Sequence, residues 1–577
     1  MKFCLPTLLT ALMAAWQLGL APVQAGTGAM VPWTTYEAEA MKTTGTVQGP
    51  RYDPFLIETE SSGQQFVRLD HAGEYVELIA QKAANSLVVR YSLPDSPLGG
   101  GLNTTLRLCQ NGRPGQPIAL TSHYAWLYDN YPFNNNPKDG RPRNFYDEVR
   151  VTGLNIKPGD TLRLIKAYAD PAYCIIDLVD LEAAPAALPA PAKALSILDF
   201  GATGNGETDD TEALRQCLAA AREQKKIAWV PAGTYKLTGD ILCETGARIQ
   251  GAGMWHTRFV GDADLYNQPD RRVRFKLKGS DIHLADFAII GKLTYRNDDE
   301  ANDGIHGAGC TDCTVTGIWV EHTKVGMWFY NGTRVTVSGC RFRNTLADGI
   351  NLCVGCRDFL VENCAARGTG DDCFAIWPTV SDQGYTEETP SPGNNCFRHC
   401  TAQVPFLANG GAIYGGKNNR MEGCLFQDIA AGSGILLSTT FPIADEKLKK
   451  DNNFSGTTVV RDCEVVRSGG FDHGWGWRAA VQLCLHHRSI AGLEVSGLRI
   501  RDSLSDGLGI VAPGSAQGQG TLSAAQVTNL EIPNCGLAVK DSHGLSIRED
   551  ARGGLSLKHA QVVTTLNRSA SFIIATE

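Results

Sequence analysis

The chain has 577 residues, 43% hydrophobic and 20% charged, which excludes wholesale disorder and predicts about two domains or an elongated repeat. Lys+Arg 53 against Asp+Glu 61 gives a net charge of −8, so no basic excess exists for a nucleic-acid partner. The 62 glycines argue against a helix-rich architecture, where glycine is costly.

Lys2 precedes the apolar run LPTLLTALMAAWQLGLA, which ends at Pro22-Val23-Gln24-Ala25. This predicts a secretory signal over residues 1–25, cleaved after Ala25, and a secreted or periplasmic protein. The run is too short, and its flank too uncharged, for a membrane anchor. Outside the cytoplasm neither ATP nor a diffusible nicotinamide is at hand, which favours hydrolysis, elimination or binding.

Residues 30–182 alternate in short runs such as FVRL, YVELIA, SLVVRYSL and CIIDLVDLEA, the pattern of an antiparallel β-sandwich. Its opening, Tyr36-Glu37-Ala38-Glu39, and its close resemble the galactose-binding-like sandwiches of carbohydrate-binding modules. The loop HYAWLYDNYPFNNNP carries Trp126, Tyr128, Tyr131 and Phe133. These aromatics are expected either to stack on sugar or to pack onto their own sandwich. An Ala/Pro linker over 183–196 follows.

From 197 to 577 short units recur: VTGIWVEHT, VSGCRFRNT, VENCAARGT, MEGCLFQDI and VRDCEVVRS. The spacing is 24 residues from Cys340 to Cys364 and again from Cys400 to Cys424. Strand repeats of this length predict a coil that buries its face by stacking, here an all-β, right-handed parallel β-helix. Cys340, Cys364, Cys400, Cys424 and Cys463 are read as inward, buried small hydrophobes. For Cys310-x-x-Cys313 and Cys353-x-x-Cys356 local disulfides are favoured over zinc, because the gap between the pairs is too long for a zinc ribbon. No metal and no cofactor is expected.

The run from Leu198 to Gly239, with Asp199-Phe200-Gly201-Ala202, Thr208-Asp209-Asp210-Thr211 and Pro231-Ala232-Gly233-Thr234-Tyr235, resembles the N-terminal cap of pectin-active β-helix enzymes. Asp209 and Asp210 are expected to serve the start of the helix TEALRQCLAAAREQ rather than catalysis.

The chemistry is placed at two adjacent rungs. Asp348 lies in ADGIN and Asp371-Asp372 in GTGDDCFAIW, and the 24-residue register puts Asp372 over Asp348, about 4.8 Å away. Carboxylates that close cannot all ionise, so at least one pKa is expected to rise. A raised acid beside carboxylates is the equipment of a glycosidase. Asp-Gly also marks a structural corner, since it recurs at Asp303-Gly304 and Asp506-Gly507.

Residues 303–378 (DGIHGAGC, ADGINL, GTGDDCFAIWP) resemble glycoside hydrolase family 87, the α-1,3-glucanases and mycodextranases. More distantly they resemble the family 28 polygalacturonases, whose Asn-Thr-Asp, Gly-His-Gly and Arg-Ile-Lys signatures are missing here. The resemblance implies a sandwich joined to a β-helix in one catalytic unit and inverting endo-hydrolysis; without a basic motif for uronate carboxylates, a neutral α-glucan is the expected polysaccharide substrate, and a monomer is expected. The resemblance further implies that Asp371 donates the proton while Asp348 and Asp372 hold the water. Side-chain divergence is expected to widen the acid-to-base distance to about 6.5–9.5 Å. His306, His322, Trp328, Trp377, Tyr414, Lys417, Trp475, Trp477 and Arg478 are candidates for sugar contacts. A polysaccharide lyase, a pectin-active hydrolase and a non-catalytic glycan-binding solenoid are the rival readings.

Overall fold

The computed structural model describes residues 26–129, 133–378, 389–440, 453–472, 476–486, 488–512 and 520–576. The proposed signal segment, Tyr131 and Trp475 lie outside the described residues.

The alternating runs of residues 33–182 form two antiparallel sheets of six and five strands among the described residues. Val67, Val89 and Ile176 of one sheet share a core with Val76, Leu106 and Leu164 of the other. Strands Ser86–Ser92 and Cys174–Glu182 are buried along their whole length. A sheet that faces solvent on one side alternates; burial of every residue means that both faces are covered. The second cover is the β-helix.

The rest of the chain winds through three parallel sheets of 14, 13 and 12 strands among the described residues, a parallel β-helix. Two left-handed corners recur on most turns. The first, between the first and second sheets, is held by Asp286, Gly317, Gly339, Asn363, His399, Gly423, Asp462 and Gly497, all at positive φ. Gly, Asn and Asp adopt that conformation at least cost. The next residue then points inward, and it is Cys340, Cys364, Cys400, Cys424 or Cys463 on five turns, each at most 1% exposed. The Cys400 and Cys424 thiols each reach a carbonyl of the preceding turn at 3.5 Å. Cysteine suits this column because it is small, apolar and a weak donor. No disulfide joins the described cysteines, so the local disulfides expected at Cys310/Cys313 and Cys353/Cys356 are absent. Cys353 faces Asn351 and Cys356 faces the Phe329 carbonyl instead.

The helix Thr211–Glu223 packs at the N-terminal end of the coil. Asp209 accepts from Thr211 N at 3.0 Å, and Asp210 from Thr203 N at 2.8 Å. Both acids therefore organise the helix entrance.

The six-stranded sheet lies on the outer face of the second β-helix sheet. Ion pairs cross the joint: Arg341 to Glu182 (2.7 Å), Arg367 to Glu148 (2.5 Å) and Asp180 (2.8 Å), and Arg150 to Glu321 (3.1 Å). Trp319 is buried under Arg150 and Arg341. Burial pushes the Glu148 carboxyl up, but the Arg367 and Arg343 guanidiniums hold it below its usual range. Arg343 has the opposite balance: burial, then Arg367, press it down to about 9. The aromatic loop packs inward. Tyr128 donates to Asp95, the Trp126 indole donates to the Leu93 carbonyl, and Phe133 is 2% exposed. Tyr128 and Phe133 are buried, and Trp126 is half-buried edge-on against Phe145.

Candidate active site

The third sheet builds the site. Just before each of its strands the chain turns a corner, and those corners stack. Gly326 N donates to Asp348 O, Gly349 N to Asp372 O, Cys373 N to Asn409 O, and Gly410 N to Ser433 O, at 2.9–3.0 Å. The corner column thus runs Val325, Asp348, Asp372, Asn409, Ser433. Asp372 stands one rung above Asp348, and strands Ile350–Cys353 and Phe374–Trp377 continue in register. The glycine that follows keeps the stack tight: a Cβ on Gly349 would lie 2.5 Å from the Cys373 carbonyl. The Asp-Gly element is therefore a corner at every copy, and a carboxylate pair only where the next rung supplies Asp371-Asp372.

One carboxylate oxygen from each of Asp348, Asp371 and Asp372 lies within 4.8 Å of the others. The oxygens meet because Asp348 and Asp372 project from one corner column and Asp371 from the residue just before Asp372. Asp348 and Asp372 are 7% and 3% exposed. The Asp371 side chain, at 24%, reaches the surface.

The three are held differently. Asp372 accepts at Oδ1 from Asn409 N (3.0 Å) and Asn409 Nδ2 (2.8 Å), and at Oδ2 from the Tyr414 hydroxyl (2.8 Å). Asp371 accepts at Oδ2 from Arg296 Nη2 (2.6 Å) and at Oδ1 from Asp372 N (3.1 Å). Asp348 has a longer contact from Asn351 Nδ2 at 3.3 Å. Burial, then the charge of Asp371, pushes Asp372 up to about 7 against the donors Asn409 and Tyr414. Burial, then Asp371 and Asp372, pushes Asp348 well above the carboxylate range, and Arg296 pulls it back. The cluster therefore retains a proton near neutrality, and its apparent pKa values belong to the set.

Tyr414 gives a test of this balance. Its hydroxyl stabilises ionised Asp372, so Tyr414→Phe raises that carboxyl further. The acid limb of the pH–rate profile is expected to move up by roughly 0.5–1 in pH, the worth of one hydrogen bond. An unmoved limb would show that Asp372 does not govern it.

The remaining candidates divide. His306, Trp328 and Asn351 follow one another in register on the third sheet, and Cys353 pairs with Trp377. Trp328 meets Trp377 edge-on at 5.7 Å and Tyr330 at 6.2 Å, while His306 meets Tyr330 at 5.4 Å. These form a half-buried aromatic strip that runs from the rungs before Asp348 to the rung of Asp371 and Asp372. Tyr414 is buried at the next rung. Trp477 and Arg478 belong to a hairpin on the C-terminal side. Trp477 packs on Phe471, and Arg478 pairs with buried Asp472 at 2.7 Å. His322 is not a surface group. It is buried in the joint, 2.8 Å from Asp147 and stacked on Tyr124. Lys417 is exposed in the column Arg357, Gly393, Lys417, Ser455 that leads into the first sheet, around the corner from the aspartates. The sequence reading missed Asn409, Tyr330 and Arg296. Asn409 was findable, since Asn409-Gly410 repeats the corner element one rung on.

Residues 30–184 match the family described as alpha-1,3-glucanase catalytic domain D1, and residues 207–536 match catalytic domain D2. The fold is similar to the crystal structure of the Agl-KA catalytic domain: TM-score 0.85 and 26% identity, covering 97% of this chain and 100% of that one. It is similar also to the catalytic unit of a thermostable family 87 α-1,3-glucanase from Streptomyces thermodiastaticus strain HF3-3: TM-score 0.78 and 29% identity, covering 95% and 94%. A shorter stretch is 24% identical to the pre-neck appendage protein of Bacillus phage phi29 over 249 residues, 40% of this chain and only 26% of that protein's length. With both catalytic-domain families matched in order and the whole fold shared, the chain belongs to the α-1,3-glucanases of glycoside hydrolase family 87.

Proposed function

We propose that this protein is an extracellular hydrolase that cuts α-1,3-linked glucan within the chain, with inversion, using Asp348, Asp371 and Asp372. The observation that carries this is the meeting of three carboxylates within 4.8 Å on adjacent rungs, beside an aromatic strip suited to sugar rings. A family 87 catalytic domain of this fold has been solved with nigerose and with tetrasaccharides. Its three aspartate-to-alanine variants are spaced along that chain as Asp348, Asp371 and Asp372 are along this one. These findings support the substrate class and the trio.

Asp371, the one member that reaches the surface, is assigned the proton donor to the glycosidic oxygen. Asp348 and Asp372 hold the attacking water and take up its proton, so one proton leaves the cluster and one returns. Retaining enzymes bring their carboxyl groups to about 5–5.5 Å of one another, and in this trio one oxygen from each lies within 4.8 Å of the others. Retention, however, needs a carboxylate free to attack. Asp371 is gripped by Arg296 and by the Asp372 backbone, Asp372 has three donors, and Asp348 is only 7% exposed. Water is then the remaining nucleophile.

The test is a substrate panel of α-1,3-glucan, nigeran, dextran and polygalacturonate, with sizing of the products and a chelator arm. New reducing ends are expected from the first two, unaffected by the chelator. Unsaturated products from polygalacturonate would identify a lyase, and binding without new ends would identify a glycan-binding solenoid.

A further inference from the structure

Arg296 lies in the irregular segment 291–302, yet it is one of the best anchored side chains near the site, 4% exposed. Its guanidinium donates to Asp371 Oδ2 at 2.6 Å, to the Gly370 carbonyl at 2.7 Å and to the Leu346 carbonyl at 3.3 Å. Those carbonyls belong to the segments that carry Asp371 and Asp348. Its Nε donates to Asp298 at 2.9 Å. The segment itself is pinned from three sides. Lys324 Nζ donates to the carbonyls of Asn297 (3.3 Å), Asp298 (3.1 Å) and Glu300. Arg272 pairs with Glu300 at 2.6 Å. From the N-terminal unit, the Phe133 carbonyl accepts from Arg296 N at 2.9 Å, and the Phe133 ring belongs to the β-helix core.

We propose that Arg296 is a positioning residue: it aims Asp371 by gripping both its carboxylate and the backbone of the two aspartate rungs, and Phe133 of the N-terminal unit seats it. A fork of donors that meets a carboxylate and two carbonyls at once fixes direction, which a lysine cannot reproduce. The inference rests on the reading of Asp371 as proton donor. It makes the first unit part of the catalytic apparatus. The charges facing Arg296 are Asp371, Asp348 and Asp298, with Lys324 and Arg143 nearby.

The experiment is Arg296→Ala in the full chain, assayed on the glucan that the wild type cleaves best, with and without added guanidinium. The expected result is a loss in kcat of roughly 10², the cost of a misplaced reacting group, with KM little changed. Guanidinium restores part of it, and Arg296→Lys does not. Loss of a fixed positive charge also moves the pH–rate profile upward. In an Asp371→Asn background, measured on an aryl glycoside, Arg296→Ala should add little, because the two act through one carboxylate. Phe133→Ala should give a smaller loss of the same kind. A wild-type kcat and profile in Arg296→Ala, or the same loss with and without Asp371 and no rescue, would overturn the proposal. Failure of the wild type on α-1,3-glucan is a different outcome: it removes the substrate assignment, and the Arg296 test then runs on the glucan that is cleaved.

Discussion

Asp371→Asn is expected to lower turnover on unactivated α-1,3-glucan by on the order of 10²–10⁴, the usual share of general acid catalysis. The amide keeps the shape, and its one oxygen can still accept from Arg296 while the bond from the Asp372 backbone is lost; the side chain reaches the surface, so the fold is expected to persist. What it lacks is a proton to give. A substrate with a good leaving group needs less protonation, so the variant should be much less impaired on an aryl glycoside. Asp348→Asn and Asp372→Asn impair the water instead, and the leaving group should not rescue them. Proton NMR of the first product then reads the anomer, and inversion is expected. A retained anomer, or an Asp371→Asn enzyme with near-normal turnover on native glucan, would refute the assignment. The pH dependence follows in sign. Asp372 can take up the water's proton only when ionised, and burial and the charge of Asp371 push it up to about 7. Activity should therefore fall as pH drops through that region.

The aspartates were legible because a parallel coil preserves register. A 24-residue interval on the inward cysteines carries over to every position between them, so Asp348 and Asp372 had to stack once Cys340 and Cys364 did. The same rule explains the cysteines and the left-handed corner before each. Arg296 was illegible for the converse reason. It lies in a segment without period, and its partners are carbonyls, which leave no mark in the sequence. His322 was misassigned because an outward polar residue on a rung looks the same whether it faces a groove or a second unit. Only the placement of Asp147 and Tyr124 against it shows which. The whole-length burial of Cys174–Glu182 is the clearest trace of that second unit. Its acids Asp177, Asp180 and Glu182 made it readable as a half-exposed strand, yet Asp177 and Asp180 are inside, paired with Arg90 and Arg367.

The joint between the units makes the other large effect. Glu148 stands between Arg367 and Arg343, and all three are buried. Removing one partner of such a set leaves charge in a medium that cannot solvate it, at a cost of about 3–5 kcal/mol. Glu148→Gln is therefore expected to lower the unfolding temperature markedly. Arg343 is the guanidinium left worst placed, since burial already presses it down to about 9, whereas Arg367 keeps Asp180. Adding Arg343→Met should recover much of the loss, because an apolar side chain of similar length removes the orphaned charge and fills its space. Calorimetry checks both steps. One cooperative transition that falls with Glu148→Gln and returns with Arg343→Met marks the joint as shared core. Two independent transitions, or a Glu148→Gln protein as stable as the parent, would make the N-terminal sheets a detachable module, and Phe133 could not then seat Arg296. The joint's chemistry and the aim of Asp371 are thus one question, because the loop that carries Phe133 leads into strand Asp147–Val151, which places Glu148 in the joint.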